Sequence, residues 1–264
     1  MTYVRLVAAM LVVAAVTSVL LLQINWFGEA GSTQAGPIDT LFDVMIVLSC
    51  FVFAIVMVMF VYAIWKFRVK PGDEGDGKPI HGNTKLEIAW TVIPTIIVLF
   101  GAGYSWTVLD DIESEAANSM PLMVTAQQFE WTFQYPEKMV GSGDTATPVT
   151  THQLHVPVDR QLAVSLTALD VLHSFWVPEW RIKRDLVPAR DPSEEGVDNT
   201  FVVTPDVEGT FSLVCTELCG TGHATMRAPV VVESQEEFDR WLDEQARAQA
   251  STAGAGAAAA GDGT

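Results

Sequence analysis

The chain has 264 residues, 49% of them hydrophobic, and a formal net charge of −17. That charge argues against a nucleic-acid partner, whose phosphates it would repel, and the sequence holds neither an internal repeat nor a nucleotide-binding glycine pattern. A mean hydropathy of +0.27 in so acidic a chain implies segregation, and the apolar residues do concentrate in the first 110 positions.

From the N-terminus, Leu6 to Leu22 follows Arg5 and reads either as a signal peptide or as an extra N-terminal helix, which sets residues 1–36 apart as a first region. Leu41 to Trp65 is almost uncharged after Asp43, and Leu86 to Val108 is interrupted by Glu87 alone. Each run exceeds the roughly 20 residues that a spanning helix requires. They predict a two-helix transmembrane hairpin within residues 37–112, with helices at about 41–66 and 86–109. Lys66, Arg68, Lys70, Lys78 and Lys85 flank the loop between them and place it on the cytoplasmic side. A multi-pass protein of the cell membrane follows, with everything after Asp110 outside.

The acidic residues gather in that outer part, in "DDIESE", "DPSEEGVD" and "EEFDRWLDE". Such a face could steer a basic partner or simply solvate the surface. Few lysines and an Ala/Gly-rich tail favour a protein of a halophile, where salt would screen steering to a few Å.

Past the second helix, "LMVTAQQFEWTFQY" alternates, so that Phe129, Trp131, Phe133 and Tyr135 are expected to share one face of a half-buried strand. Further strand-like runs are "HQLHVPV", "QLAVSLTA", "NTFVVTP", "TFSLV" and "APVVVE", separated by turn signals such as "PDVEG". So many short strands predict a β-sandwich or barrel, here a domain over 118–245. In "SQEEFDRWLDEQARAQA", Ser234 and Glu237 form a capping box, and Phe238, Trp241 and Leu242 share the face of a docking helix. Residues 246–264 are low-complexity and read as a disordered tail.

The densest chemistry lies in "CTELCGTGHATM", residues 215 to 226, which holds two of the three cysteines. Outside the membrane a disulfide between Cys215 and Cys219 is allowed, but it gives no reason for His223 and Met226 to follow. Zinc accepts cysteine and histidine, yet leaves Met226 unexplained. Copper accounts for all four, since soft thiolate and thioether ligands favour it and imidazole suits it. A blue-copper site needs another histidine, and His173 in "LDVLHSFWVP" is the preferred one over His152 and His155. Two thiolates can bridge two copper ions with one histidine on each, which spreads the charge of a single electron.

With the pattern C-x-E-x-C-x3-H-x2-M preceded by "DVLHSFWVP", residues 37 to 242 resemble subunit II of haem-copper cytochrome c oxidase. The resemblance implies an α+β membrane protein: a transmembrane hairpin followed by an extracytoplasmic, all-β, cupredoxin-like Greek-key domain. It maps the family's binuclear CuA copper centre onto His173, Cys215, Glu217, Cys219, His223 and Met226, with Glu217 giving its backbone carbonyl to copper and its side chain to a magnesium shared with subunit I. "KLEIAWTVIPTIIV" resembles the start of the family's second helix and puts Glu87 at the mouth of the proton path. The plainer reading of Glu87 is an acid at a helix start.

"QQFEWTFQYP" resembles the aromatic strand that receives electrons, implicating Phe129 and Trp131, although Phe129 stands where tryptophan is common and Leu169 where an acidic docking residue is common. Asp170 is kept. The implied function is the electron-input subunit of a terminal oxidase, taking electrons from cytochrome c or a small blue-copper protein. It passes them to haem in subunit I, where oxygen is reduced to water with proton transfer. Subunit I, other oxidase subunits and the membrane are the implied partners. A quinol-oxidase subunit would lack the copper cysteines, whereas a tethered cupredoxin would hold one copper. A zinc- or disulfide-stabilised binding module would have no redox role.

Overall fold

The computed structural model describes residues 2–69, 71–72, 75, 77, 79–143, 146–188 and 199–261. Lys70, Lys78 and the acidic run at 191–198 lie outside the described residues. The chain divides into a helical unit, Met1–Trp26 with Pro37–Asp110, and an outer unit, Phe27–Gly36 with Asp111–Thr264.

The helical unit contains three helices long and apolar enough to cross a membrane: α1 (Thr2–Leu22), α2 (Ala35–Phe67) and α3 (Thr84–Ile112). The two predicted spans are therefore longer at their starts than the apolar runs alone suggested. α2 tolerates Pro37 because the N–H that proline lacks has no intrahelical partner in a first turn. Asn83 caps α3, its Oδ1 accepting the N–H groups of Lys85 (3.1 Å) and Leu86 (3.2 Å). α1 and α2 share an apolar groove lined by Leu20, Leu21, Met45 and Phe53. Ala14 and Ser18 on one helix and Cys50 and Ala54 on the other are buried, small side chains of the kind that lets helices approach in lipid.

The outer unit holds β1 (Met120–Gln127), β2 (Glu130–Val140), β3 (Thr147–Thr151), β4 (Leu154–Pro157), β5 (Leu162–Ala168), β6 (His173–Val177), β7 (Ile182–Leu186), β8 (Asn199–Val203), β9 (Gly209–Cys215) and β10 (Arg227–Glu233). One sheet runs β3-β2-β1-β5-β8 and the other β4-β10-β9-β6-β7. The β1–β5 and β4–β10 pairs are parallel and the rest antiparallel. Alternate residues of both sheets fill the space between them, with Leu122, Val124, Phe133, Tyr135 and Val164 from the first and Phe175, Val177, Leu213 and Val230 from the second. The result is the expected cupredoxin-like sandwich.

Four local expectations change. "LMVTAQQFEWTFQY" is two strands, because Gln128 and Phe129 form the turn between β1 and β2. Trp131, Phe133 and Tyr135 are buried as predicted, but Phe129 leaves their face and stands 37% exposed at the corner. β3, β6 and β7 have no counterpart among the predicted strand-like runs. His173 to Val177 is buried nearly throughout, so it shows no alternation, and the charges of "IKRDL" hide β7. The closing helix α4 (Gln235–Gly261) starts on the predicted capping box, with Ser234 Oγ 2.7 Å from Glu237 Oε2 and accepting the Glu237 N–H (3.3 Å). It continues to Gly261 through the segment read as a disordered tail, where alanine, the strongest helix former, outweighs the scattered glycines.

The fourth change concerns residues 27–36, which the sequence grouped with the N-terminal region. They are a strap on the outer domain. Gly31 N–H donates to the Glu179 carbonyl (2.8 Å) and Thr33 N–H to that of Thr204 (3.0 Å), while Ser32 forms a bridge with Pro205. The Arg181 guanidinium donates to the carbonyls of Phe27 (3.2 Å), Gly28 (3.1 Å) and Glu29 (3.3 Å), 5.3 Å from the Phe27 ring centre.

Candidate metal centre

β6 and β9 are neighbours in the second sheet, with Phe175 opposite Cys215. That register brings His173, the first residue of β6, beside Cys215, the last of β9. The hairpin from β9 to β10 is held at its base by the Cys215 N–H donating to the Met226 carbonyl (3.1 Å), and the Thr216 N–H donates to that of Ser174 (3.1 Å). Between these anchors the chain bulges into the loop that carries Glu217, Cys219 and His223, the last on a short 3-10 turn, His223–Thr225.

Six predicted ligand atoms meet there. Cys215 Sγ lies 3.8 Å from Cys219 Sγ, 3.8 Å from His173 Nδ1 and 3.3 Å from the Glu217 carbonyl. Cys219 Sγ lies 3.7 Å from His223 Nδ1 and 3.7 Å from Met226 Sδ. His173, Cys215, Cys219 and Met226 are buried, whereas His223 and Glu217 are half-buried. The two cysteines are free, and their separation is nearly twice the roughly 2.05 Å of a disulfide. Metal bonds of about 2.0–2.3 Å to nitrogen and sulfur, set at tetrahedral angles, give ligand-to-ligand edges of about 3.3–3.8 Å. The donor set therefore fits a metal both in spacing and in softness, with one imidazole beside each sulfur.

Asp170 orients the first histidine. Its Oδ1 accepts from His173 Nε2 (2.8 Å), which keeps the proton on that nitrogen and leaves Nδ1 facing Cys215. Burial works against ionisation of Asp170, but the bonds from His173 and from the Gln128 and Val171 N–H groups outweigh it and hold the carboxyl below its ordinary range. For Cys219, burial and then the neighbouring Cys215 push the thiol up to about 11. A metal must displace that proton on binding. Local pattern assigns Asp170 no such role, since an acid three positions before a histidine carries no motif of its own. Gln128 likewise sits in an alternating run that gives it no signal of its own.

The other sequence candidates stand outside the set of ligand atoms. Trp131 is buried beneath the site, edge-on to His173 with ring centres 6.4 Å apart. Phe129 is at the surface, and its ring lies so close to Gly222 that a Cβ there would come within 2.5 Å of it. His155 stacks on Trp241 (4.0 Å) and bonds Glu233 (2.9 Å), and the His152 ring lies 3.0 Å from the Trp131 carbonyl. Glu87 belongs to the helical unit, where its exposed carboxylate accepts the Asn83 N–H (3.1 Å).

The chain is similar in sequence to known proteins. Residues 19–108 match the description "Cytochrome C oxidase subunit II, transmembrane domain" and residues 123–235 match "Cytochrome C oxidase subunit II, periplasmic domain". The chain is 30% identical to cytochrome c oxidase subunit 2 of Synechocystis, over 82% of this chain and 77% of that one. It is 34% identical to the Alkalihalophilus pseudofirmus protein of the same name, over 82% of this chain and 63% of that one. A solved periplasmic domain of cytochrome oxidase subunit II from Bradyrhizobium japonicum is similar at 25% identity and a TM-score of 0.41, over 51% of this chain and 97% of that one. The chain belongs to the cytochrome c oxidase subunit II family, as a membrane protein with an extracytoplasmic domain.

Proposed function

We propose that the chain is the electron-input subunit of a respiratory terminal oxidase in the cell membrane, with a binuclear CuA centre held by His173, Cys215, Glu217, Cys219, His223 and Met226. The observation that carries this reading is the meeting of two free thiols, two imidazole nitrogens, a thioether and a carbonyl at 3.3–3.8 Å spacings in one largely buried loop. When bound, copper would supply a one-electron couple whose charge is shared, with Cys215 and Cys219 among the residues that would hold it.

The chain's own residues do the rest. Asp170 fixes the His173 ring, the buried sulfurs exclude water, and the sandwich keeps the donor atoms from rearranging when the charge changes. Phe129 is the surface ring over the ligand loop and suits the arrival of electrons from cytochrome c or a small blue-copper protein. Trp131, buried against His173, suits the interior of that path. Electrons then pass to haem in subunit I, where oxygen is reduced to water with proton transfer. The Glu217 side chain is assigned to a magnesium shared with subunit I, and Glu87 to the mouth of a proton path.

Electron paramagnetic resonance with copper quantification on the purified full chain tests the centre. Two coppers and a mixed-valence signal are expected. A single cupric ion with an intense blue absorption, or zinc in place of copper, would overturn it. Cys215→Ser is expected to lose the binuclear signal.

A further inference from the structure

We propose that the Gln128–Phe129 corner is a clamp on the tip of the ligand loop, with Gln128 a positioning residue for the metal centre. The proposal rests on the copper reading and adds to it two residues that donate no ligand.

The two halves of the ligand set come from different loops. His173 follows the β5–β6 connection, whereas the cysteines, His223 and Met226 come from the β9–β10 hairpin. The sheet register and the Thr216–Ser174 bond fix the base of the hairpin, but the bonds from the N–H groups of His223, Thr225 and Met226 close on the tip itself, at Gly220, Gly222 and His223. Gln128 reaches the tip from outside. Its side-chain amide donates to the Cys219 carbonyl (2.5 Å), while its backbone N–H donates to Asp170 Oδ2 (2.7 Å). The other oxygen of that carboxylate holds His173. One residue thus ties the Cys219 half of the site to the His173 half, through groups that touch both ligands and coordinate nothing themselves.

The Phe129 ring supplies the second contact. At Gly220 an added Cβ would meet Gln128 Nε2 at 2.8 Å and the Phe129 ring at 3.1 Å, and at Gly222 it would meet the ring at 2.5 Å. Gly222 has φ −92 and ψ 4, a backbone open to other residues. Its lack of a side chain is therefore required by the ring, not by the turn. The ring and the amide press on the two glycines that flank the tip, which leaves little freedom for Cys219 to move relative to Cys215. A restrained sulfur pair is what a centre needs if its geometry is to change little between oxidation states.

The test uses the full chain, purified in detergent. In Gln128→Ala, hydrogen exchange at residues 218–226 of the metal-free protein is expected to quicken. The copper-loaded protein is expected to keep two coppers, with an altered hyperfine pattern, a shifted potential and about tenfold faster copper loss to a chelator, as for residues that orient metal ligands. Phe129→Ala alone is expected to quicken the same exchange, and Gly222→Ala to disturb the same signals by driving the tip off the ring. Unchanged exchange and spectra in Gln128→Ala, or unchanged exchange in Phe129→Ala, would overturn the clamp. The wild-type copper count reports separately on the binuclear reading, and the exchange measurement needs no metal at all.

Discussion

At the scale of single residues, the site separates groups that would bind metal from groups that aim them. Asp170 is of the second kind, holding the proton on His173 Nε2 so that Nδ1 faces Cys215. Asp170→Asn is expected to weaken copper binding by about 10- to 100-fold without removing a ligand, read by competition with a chelator. Met226 presents its buried thioether 3.7 Å from Cys219 Sγ. Because thioether is a weak ligand, Met226→Leu is expected to keep copper and shift the reduction potential; an unmoved potential would remove Met226 from the proposed set. His155→Ala should spare copper, since that ring is engaged with Trp241 and Glu233.

Among the elements, α4 shows how the sandwich is closed at a distance from the metal. Phe238 and Trp241 pack against Tyr135 of β2, with ring centres 6.0 and 5.6 Å away. The Tyr135 hydroxyl accepts the His155 N–H and donates to the His155 carbonyl, both at 3.0 Å. Burial is the main cause that raises its pKa well above the ordinary value. The folded protein keeps this proton after an unfolded chain has released it. The stabilisation is therefore complete below about pH 10 and is lost as pH rises toward the raised value. Tyr135→Phe is expected to flatten this alkaline loss and to cost about 1 kcal/mol near neutrality through the missing hydrogen bonds, measured by urea unfolding across pH. Phe238→Ala, which empties a fully buried position, is expected to cost about 3–5 kcal/mol while leaving the copper spectrum unchanged.

For the molecule as a whole, the strap of residues 27–36 redraws the boundary between the N-terminal region and the outer domain. A fragment of residues 115–245 would lack the chain that Arg181 grips through three carbonyls. Arg181→Ala is expected to destabilise the outer domain by about 2 kcal/mol, the scale of hydrogen bonds to a charged group. Arg181→Lys should restore little of it, because an ammonium cannot present the planar fork. Chemical unfolding of the full chain followed by tryptophan fluorescence measures both. At this scale the helical unit contributes long apolar helices whose outer faces, including Phe51, Val56, Ile93 and Phe100, are exposed, as lipid or a neighbouring membrane subunit requires.

The membrane spans, the β-sandwich and the cluster from Cys215 to Met226 were legible in the sequence because each is written in neighbouring positions. Apolar length marks a span, alternation marks a half-buried strand, and soft donors within twelve positions mark a metal loop. Tertiary structure alone decided what depends on contacts between distant segments. β6 carries no alternation because it is covered on both sides, and Phe129 leaves its row because the chain turns at Gln128. The strap finds its partners about 150 positions further on, as in the separation of 154 between Phe27 and Arg181. Asp170 and Gln128 come to serve His173 and Cys219 through backbone and side-chain bonds that no local pattern encodes. Short-range periodicity reports burial and length, whereas the aim of a ligand is set by whichever residues the fold carries to its far side.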